Sequence, residues 1–273
     1  MLVRTVSGLV LAPLFLAVLV VLPVPVLVVM LSGILMIASY ELLKATGAAC
    51  GHKFLYVCTA LAAGTVPVLH WLDVESIGMR VLSLALMALL FIMGIFTYGR
   101  DREVKAESIL YCLFGGLLIP LFLSSLLELR MLAHGRFLVL VPVVSSIVTD
   151  VGAYFAGVLL GKHRGITKVS PNKSVEGFVG GMLFGVLFML GYALVLRNGF
   201  DLQVNMLRMA LYGFVGSAVT IVGDLAFSLI KRQHGIKDYG HLIPGHGGML
   251  DRFDSLIFTA PTAYALVSLL GAV

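Results

Sequence analysis

Nine apolar runs, each close to the length needed to cross a bilayer, follow one another along this chain with only short polar connectors between them. They lie at about Ser7–Leu22, Val26–Leu43, Phe54–Leu72, Val81–Tyr98, Ile109–Leu127, Phe137–Leu160, Phe178–Leu196, Met206–Ile230 and Phe253–Val273. A helix needs roughly 20 apolar residues to cross about 30 Å of hydrocarbon. In that medium each backbone N–H and C=O must find its partner inside the segment, so such runs adopt helices. The expected fold is an all-α polytopic membrane protein of about nine transmembrane helices. Composition agrees: at 60% hydrophobic, 12% charged and a mean hydropathy of +1.05, the chain lacks the polar residues to cover a soluble domain. Against that background the net charge of +5 reads as membrane decoration, and no nucleic-acid partner is expected. The first run passes into LPVPVLVVM without a small-residue cleavage site, so it is expected to be a retained helix. Cys50, Cys58 and Cys112 have no metal-ligand spacing and read as small apolar fillers.

Lysine and arginine set the orientation. With the N-terminus inside and nine helices alternating, fourteen of the 19 basic residues fall on the cytoplasmic side; Arg80, Arg130, Arg136, Arg197 and Arg208 fall outside. This predicts a cytoplasmic N-terminus and an external C-terminus. Helices one to five (1–135) are expected to serve packing and lipid access, and helices six to nine (136–273) to carry the polar site. Pro120, Pro142 and Pro261 lie inside spans, where neighbouring helices re-satisfy the freed carbonyls. Gly152/Ala156, Gly157/Gly161 and Gly181/Gly185 recur at four-residue spacing, which lets the sixth and seventh helices approach closely.

The polar residues gather in two connections. In the first, 149–178, Asp150 sits inside an apolar run, where a carboxylate is expensive and faces a bundle interior, water or an ion. Lys162, His163, Arg164, Lys168 and Lys173 follow, with Ser170, Asn172 and Ser174 among them. Positive-inside decoration explains the cations alone. SPNKSVEG also reads as a helix start, with Ser174 as cap and Glu176 in the first turn, and a helix N-terminus beside lysines suits phosphate.

The second connection, 223–255, is richer. Asp224, Ser228 and Lys231 share one helix face, with Asp224 on the order of 10 Å deeper than Lys231. Lys237, Asp238, His241 and His246 follow among glycines, and Asp251, Arg252 and Asp254 open the last helix. Taken singly, caps, snorkelling anchors and turns account for these residues. Together they form a set suited to phosphoryl or nucleotidyl transfer. Asp224 with Asp251 or Asp254 offers hard oxygens to Mg²⁺. Lysines and Arg252 offset polyphosphate charge, and Gly245, Gly247 and Gly248 open backbone N–H groups to it. Neither a GxxxxGK[ST] loop nor an HExxH motif occurs.

The run Ser228-Leu-Ile-Lys231-Arg232, then Lys237-Asp238-Tyr-Gly240, then Ile243-Pro244-Gly245-His246-Gly247-Gly248-Met-Leu-Asp251-Arg252-Phe-Asp254 closely resembles the signature of the phosphatidate cytidylyltransferases, or CDP-diacylglycerol synthases. Asp150-x-x-Ala153-Tyr154-x-x-Gly157 and Ser170-Pro171-Asn172-Lys173-Ser174-x-Glu176-Gly177 resemble that family too. The resemblance is strong over about residues 145–255, whereas the N-terminal spans are generic.

The resemblance implies Mg²⁺-dependent conversion of CTP and phosphatidate to CDP-diacylglycerol and pyrophosphate at the cytoplasmic side of the membrane. It implies metal binding by Asp224 and Asp251, with Asp254 and Asp150 as further ligands and room for a second, monovalent or divalent, cation. Lys237, Asp238, His246 and Arg252 would form the catalytic group. Ser170, Asn172, Lys173, Ser174, Glu176, Ser228, Lys231, Arg232, Gly247 and Gly248 would hold nucleotide or lipid phosphate. A bacterial plasma membrane is the expected setting, the bilayer the expected partner, and the glycine-rich faces leave room for a homodimer. Three other readings stand beside this one. A CDP-alcohol phosphotransferase would carry a DGxxAR-type motif, which does not occur. An ion-coupled transporter would use Asp150 and Asp224 but leaves the loop's cations and glycines unexplained. A cytidylyltransferase for a different lipid phosphate would share all these residues.

Overall fold

The computed structural model describes residues 12–165, 167–243, 245 and 247–271. Helix α1 is described over 12–20, the expected first span beginning outside the described residues. There follow α2 (Val24–Thr46), α3 (Lys53–Trp71), α4 (Glu75–Thr97), α5 (Ala106–Met131), α6 (Gly135–Leu159), α7 (Val175–Phe200), α8 (Met206–Gln233) and α9 (Leu250–Leu270). These eight, α2 to α9, are long and apolar enough to cross a membrane. Among the described residues no strand forms; two isolated bridges, Arg164 to Ser174 and Ile243 to Gly247, close the polar connections locally. The chain is an all-α protein of membrane-length helices, as its apolar runs predict.

Several helices start earlier than the apolar runs do. α4 starts at Glu75, α7 at Val175 and α9 at Leu250, several residues ahead of Val81, Phe178 and Phe253. The reason is electrostatic: first turns tolerate polar residues, and Glu75, Glu176 and Asp251 sit there, where the helix dipole favours negative charge.

By packing, the chain forms two compact units, Met1–Leu127 with Gln233–Phe253 and Glu128–Arg232 with Asp254–Val273. In the first, α2 begins with Pro25 in its first turn, where a missing N–H goes unnoticed, and ends at Gly47 in the left-handed conformation. Its Leu43 joins a buried cluster with Leu55, Ala62, Leu86, Leu90, Ile109 and Cys112. α5 passes this cluster through a π-helical segment, Phe114–Leu118. Pro120 lacks the N–H that would bond the carbonyl four residues back, and the wider turn just before it absorbs that mismatch. Gly115 and Gly116 let the segment close on its neighbours: a Cβ at Gly116 would lie 3.0 Å from Leu86 and from Thr59.

The second unit is assembled by small residues. Gly181 of α7 faces the carbonyl of Thr149 on α6, and Gly180 touches the Ala156 methyl. α8 presents Gly213 to α7, Gly216 to Ser145 of α6, and Gly223 to the Asp254 carbonyl and Phe258 of α9. Hydroxyls join the same seams: Thr149 Oγ1 donates to Ser217 Oγ at 2.8 Å, and Thr220 and Thr259 are 3.1 Å apart. Close backbone approach is how helices associate where no hydrophobic drive separates helix from lipid. Gly152, Ala156 and Gly181 thus pack α6 on α7 as their spacing predicts, while Gly185 meets Ser217 of α8.

Candidate active site

Within the second unit, the connection between α6 and α7 folds over the start of α7. Ser174 has extended backbone angles and its Oγ accepts from Gly177 N at 3.0 Å, the N-cap its sequence predicts. Glu176 turns back to accept from His163, at 2.6 Å from the ring Nδ1 and 3.2 Å from the backbone N. Lys173 N donates to Ser170 O at 3.2 Å, and Arg232, at the end of α8, reaches the Val169 carbonyl at 3.4 Å. Ser170, Glu176 and Arg232 therefore shape this connection, while Asn172 stands exposed beside it.

That folding presents Lys173 to α8, where its ammonium pairs with the Asp224 carboxylate. Both groups line a cavity of about 370 Å³ together with Asp150, Tyr154, Asn172 and Ser174. Asp150 and Asp224, far apart in sequence, thus share one cleft. Asp254 comes from the α9 turn that Gly223 touches; its Oδ1 accepts from Ser255 N at 2.7 Å, and buried Lys231 stands 3.9 Å from its Oδ2. Ser228, one turn beyond Asp224, is half-buried on the same α8 face.

Within the first unit, the connection between α8 and α9 closes on itself. Ile243 N donates to Gly247 O at 3.0 Å. Asp251 is buried, and its Oδ2 accepts from Tyr239 N at 2.8 Å and Gly248 N at 3.0 Å. Gly247 has φ +84°, and a Cβ there would meet the Asp251 carboxylate at 3.1 Å, so the turn requires glycine. Lys237, Asp238 and Arg252 stand exposed around this frame, and His246 lies outside the described residues. The cleft offers a cation–carboxylate pair; the closed loop offers exposed charges on a stiff backbone. Both suit a polyanionic ligand.

The sequence matches the model of the Cytidylyltransferase family over residues 2–270. The chain belongs to that family. A phosphatidate cytidylyltransferase of Thermotoga maritima is 33% identical over 253 residues, covering 90% of this chain and 89% of its own. Another, of Bacillus subtilis, is 32% identical over 196 residues, 71% of each chain. The family resemblance read from the two polar connections is borne out along almost the whole length.

Three residues of this cytidylyltransferase site escape a reading of its motifs. Glu41 of α2 is buried and accepts from Leu250 N at 2.9 Å, inside the second connection. It is the only acidic residue of α2, and that isolation is the signal that could have revealed it. His163 is one cation among several in the first connection, and nothing in the motif marks it as the residue that holds Glu176. His234 meets the Tyr111 hydroxyl at 2.8 Å and ties the start of the loop to α5; no sequence spacing links residues so distant.

Proposed function

We propose that this cytidylyltransferase transfers the CMP group of CTP to phosphatidate, giving CDP-diacylglycerol and pyrophosphate. We place the reaction at the cytoplasmic face of a bacterial plasma membrane, with Mg²⁺ as the working ion. The observation that carries this reading is the cleft in which Lys173 confronts Asp224, set among membrane-length helices of a chain whose relatives are phosphatidate cytidylyltransferases. A phosphatidate oxygen attacks the α-phosphorus of CTP, a new P–O bond forms, and the bond to the β-phosphate bridging oxygen breaks. The attacking monoester is already anionic, so no residue needs to remove a proton.

Lys173 moves from Asp224 to a phosphate as substrate enters, and Asn172 and Ser170 offer neutral hydrogen bonds beside it. On the second connection, Lys237 and Arg252 are exposed cations suited to polyphosphate charge, with Asp238 beside Lys237. Tyr154 and Val158, exposed along the cleft on α6, supply an apolar flank on which acyl chains can rest. The donor set fits Mg²⁺: Asp150 and Asp224 bring hard oxygens to one cavity, and Asp254 lies on the turn facing Gly223. Asp224 would hold the ion, with Asp150 and Asp254 as further ligands. When bound, the ion would neutralise triphosphate charge.

The test is CDP-diacylglycerol formation by detergent-purified protein from labelled CTP and phosphatidate. Lipid-linked label is expected only with both substrates, and is expected to vanish with EDTA and return with Mg²⁺. No product from folded protein with any divalent ion or lipid phosphate would overturn the proposal in favour of ion-coupled transport.

A further inference from the structure

Glu41 lies in the helix after α1, far from every motif of the two connections, yet its carboxylate is wrapped by the second of them. Leu250 N donates to its Oε2 at 2.9 Å, and the backbone N–H of Met249 also bonds it. A Cβ at Gly248 would lie 2.5 Å from Oε2, and one at Gly240 would collide with Oε1, so two glycines are what let the loop close on this group. The same Cβ at Gly248 would lie 2.7 Å from Gly240 N: the two limbs of the loop cross directly over the carboxylate. Asp251 fastens the crossing from the other side through Tyr239 N and Gly248 N. A carboxylate buried in an apolar helix is costly unless its bonds are needed.

We infer that Glu41 is a positioning residue for nucleotidyl transfer: by accepting backbone hydrogen bonds at the crossing of residues 239–251, it holds Lys237, Asp238 and Arg252 in their working arrangement. The inference rests on the proposed reaction. It asks of Glu41 only an acceptor of the right reach, neither charge nor proton transfer. Three substitutions separate these roles. Glu41→Gln keeps an acceptor oxygen at the same reach, Glu41→Asp keeps the charge but withdraws it by a methylene, and Glu41→Leu removes both.

Steady-state kinetics on CTP and hydrogen exchange of the 239–251 amides, measured without substrate, read the outcome. Losing the acceptor should lower kcat at least about tenfold in Glu41→Leu and Glu41→Asp, with KM for CTP changed by less than about threefold. Exchange at 239–251 should quicken in both. Glu41→Gln should keep kcat within about threefold of the parent and retain slow exchange. The Glu41→Asp and Glu41→Gln pair decides the matter even where Glu41→Leu does not accumulate. Unchanged kcat and exchange in Glu41→Asp, or equal damage in Glu41→Gln and Glu41→Asp, would overturn the inference. Absence of product from the unsubstituted chain would instead tell against the proposed reaction, with the exchange comparison still legible.

Discussion

Asp224 and Asp251 belong to the same polar connection, 223–255, but their surroundings separate them. Asp224 faces the Lys173 ammonium across a cleft, while Asp251 is buried with one oxygen bonded to two backbone N–H groups. A side chain that pairs with an ion contributes little to the fold, whereas removing a buried acceptor strands its donors. Asp224→Asn is therefore expected to abolish turnover, by at least about a hundredfold, with the thermal midpoint in detergent nearly unchanged. Asp251→Ala is expected to lose turnover and also about 1–3 kcal/mol of stability. Product assays and thermal unfolding of the two variants check both halves. Equal thermal loss in the two would remove the distinction.

At the scale of elements, α7 shows how a cap sets a site. Ser174 satisfies the Gly177 N–H, and the residue before it, Lys173, leaves the helix toward α8. Ser174→Ala should cost about 1 kcal/mol, and Ser174→Asp, which keeps an acceptor, should restore most of it. Thermal unfolding of the two variants measures this, and equal loss in both would deny the cap a role. Ser174 also shows what was legible in the sequence. Hydropathy, period and caps are local, so the helices, the Ser174 cap and the glycine seams of α6 and α7 could be read directly. Apolar content places helix starts late, because it marks where lipid begins, while backbone hydrogen bonding begins in the charged turn before it. Asp150 and Asp224 each stand out as a carboxylate in apolar sequence, and both the metal-binding and the transporter readings join them. Their meeting in one cleft depends on α8 packing against α6 through Gly216, which no motif records. Glu41 is silent in the sequence because its partners are backbone N–H groups about 200 residues away, and backbone leaves no letter in a sequence.

For the whole molecule, the excess of basic residues in alternate connections predicts which side of the bilayer each one occupies. A Lys237→Cys variant, with Cys50, Cys58 and Cys112 replaced by alanine, should react with an impermeant maleimide only in inside-out vesicles. Labelling in right-side-out vesicles would reverse the orientation and deny the site its access to CTP. Multi-pass architecture also limits how charge enters the protein. In the cleft, which Asp150 and Arg164 also line, Lys173 and Asp224 neutralise each other. A cation that takes Asp224 frees Lys173 for an anion, and an anion that draws Lys173 away uncovers Asp224. Two ligands of opposite sign then tighten each other's binding by the same factor, as thermodynamic linkage requires. Each is held loosely alone, so the cleft admits new charge in matched halves.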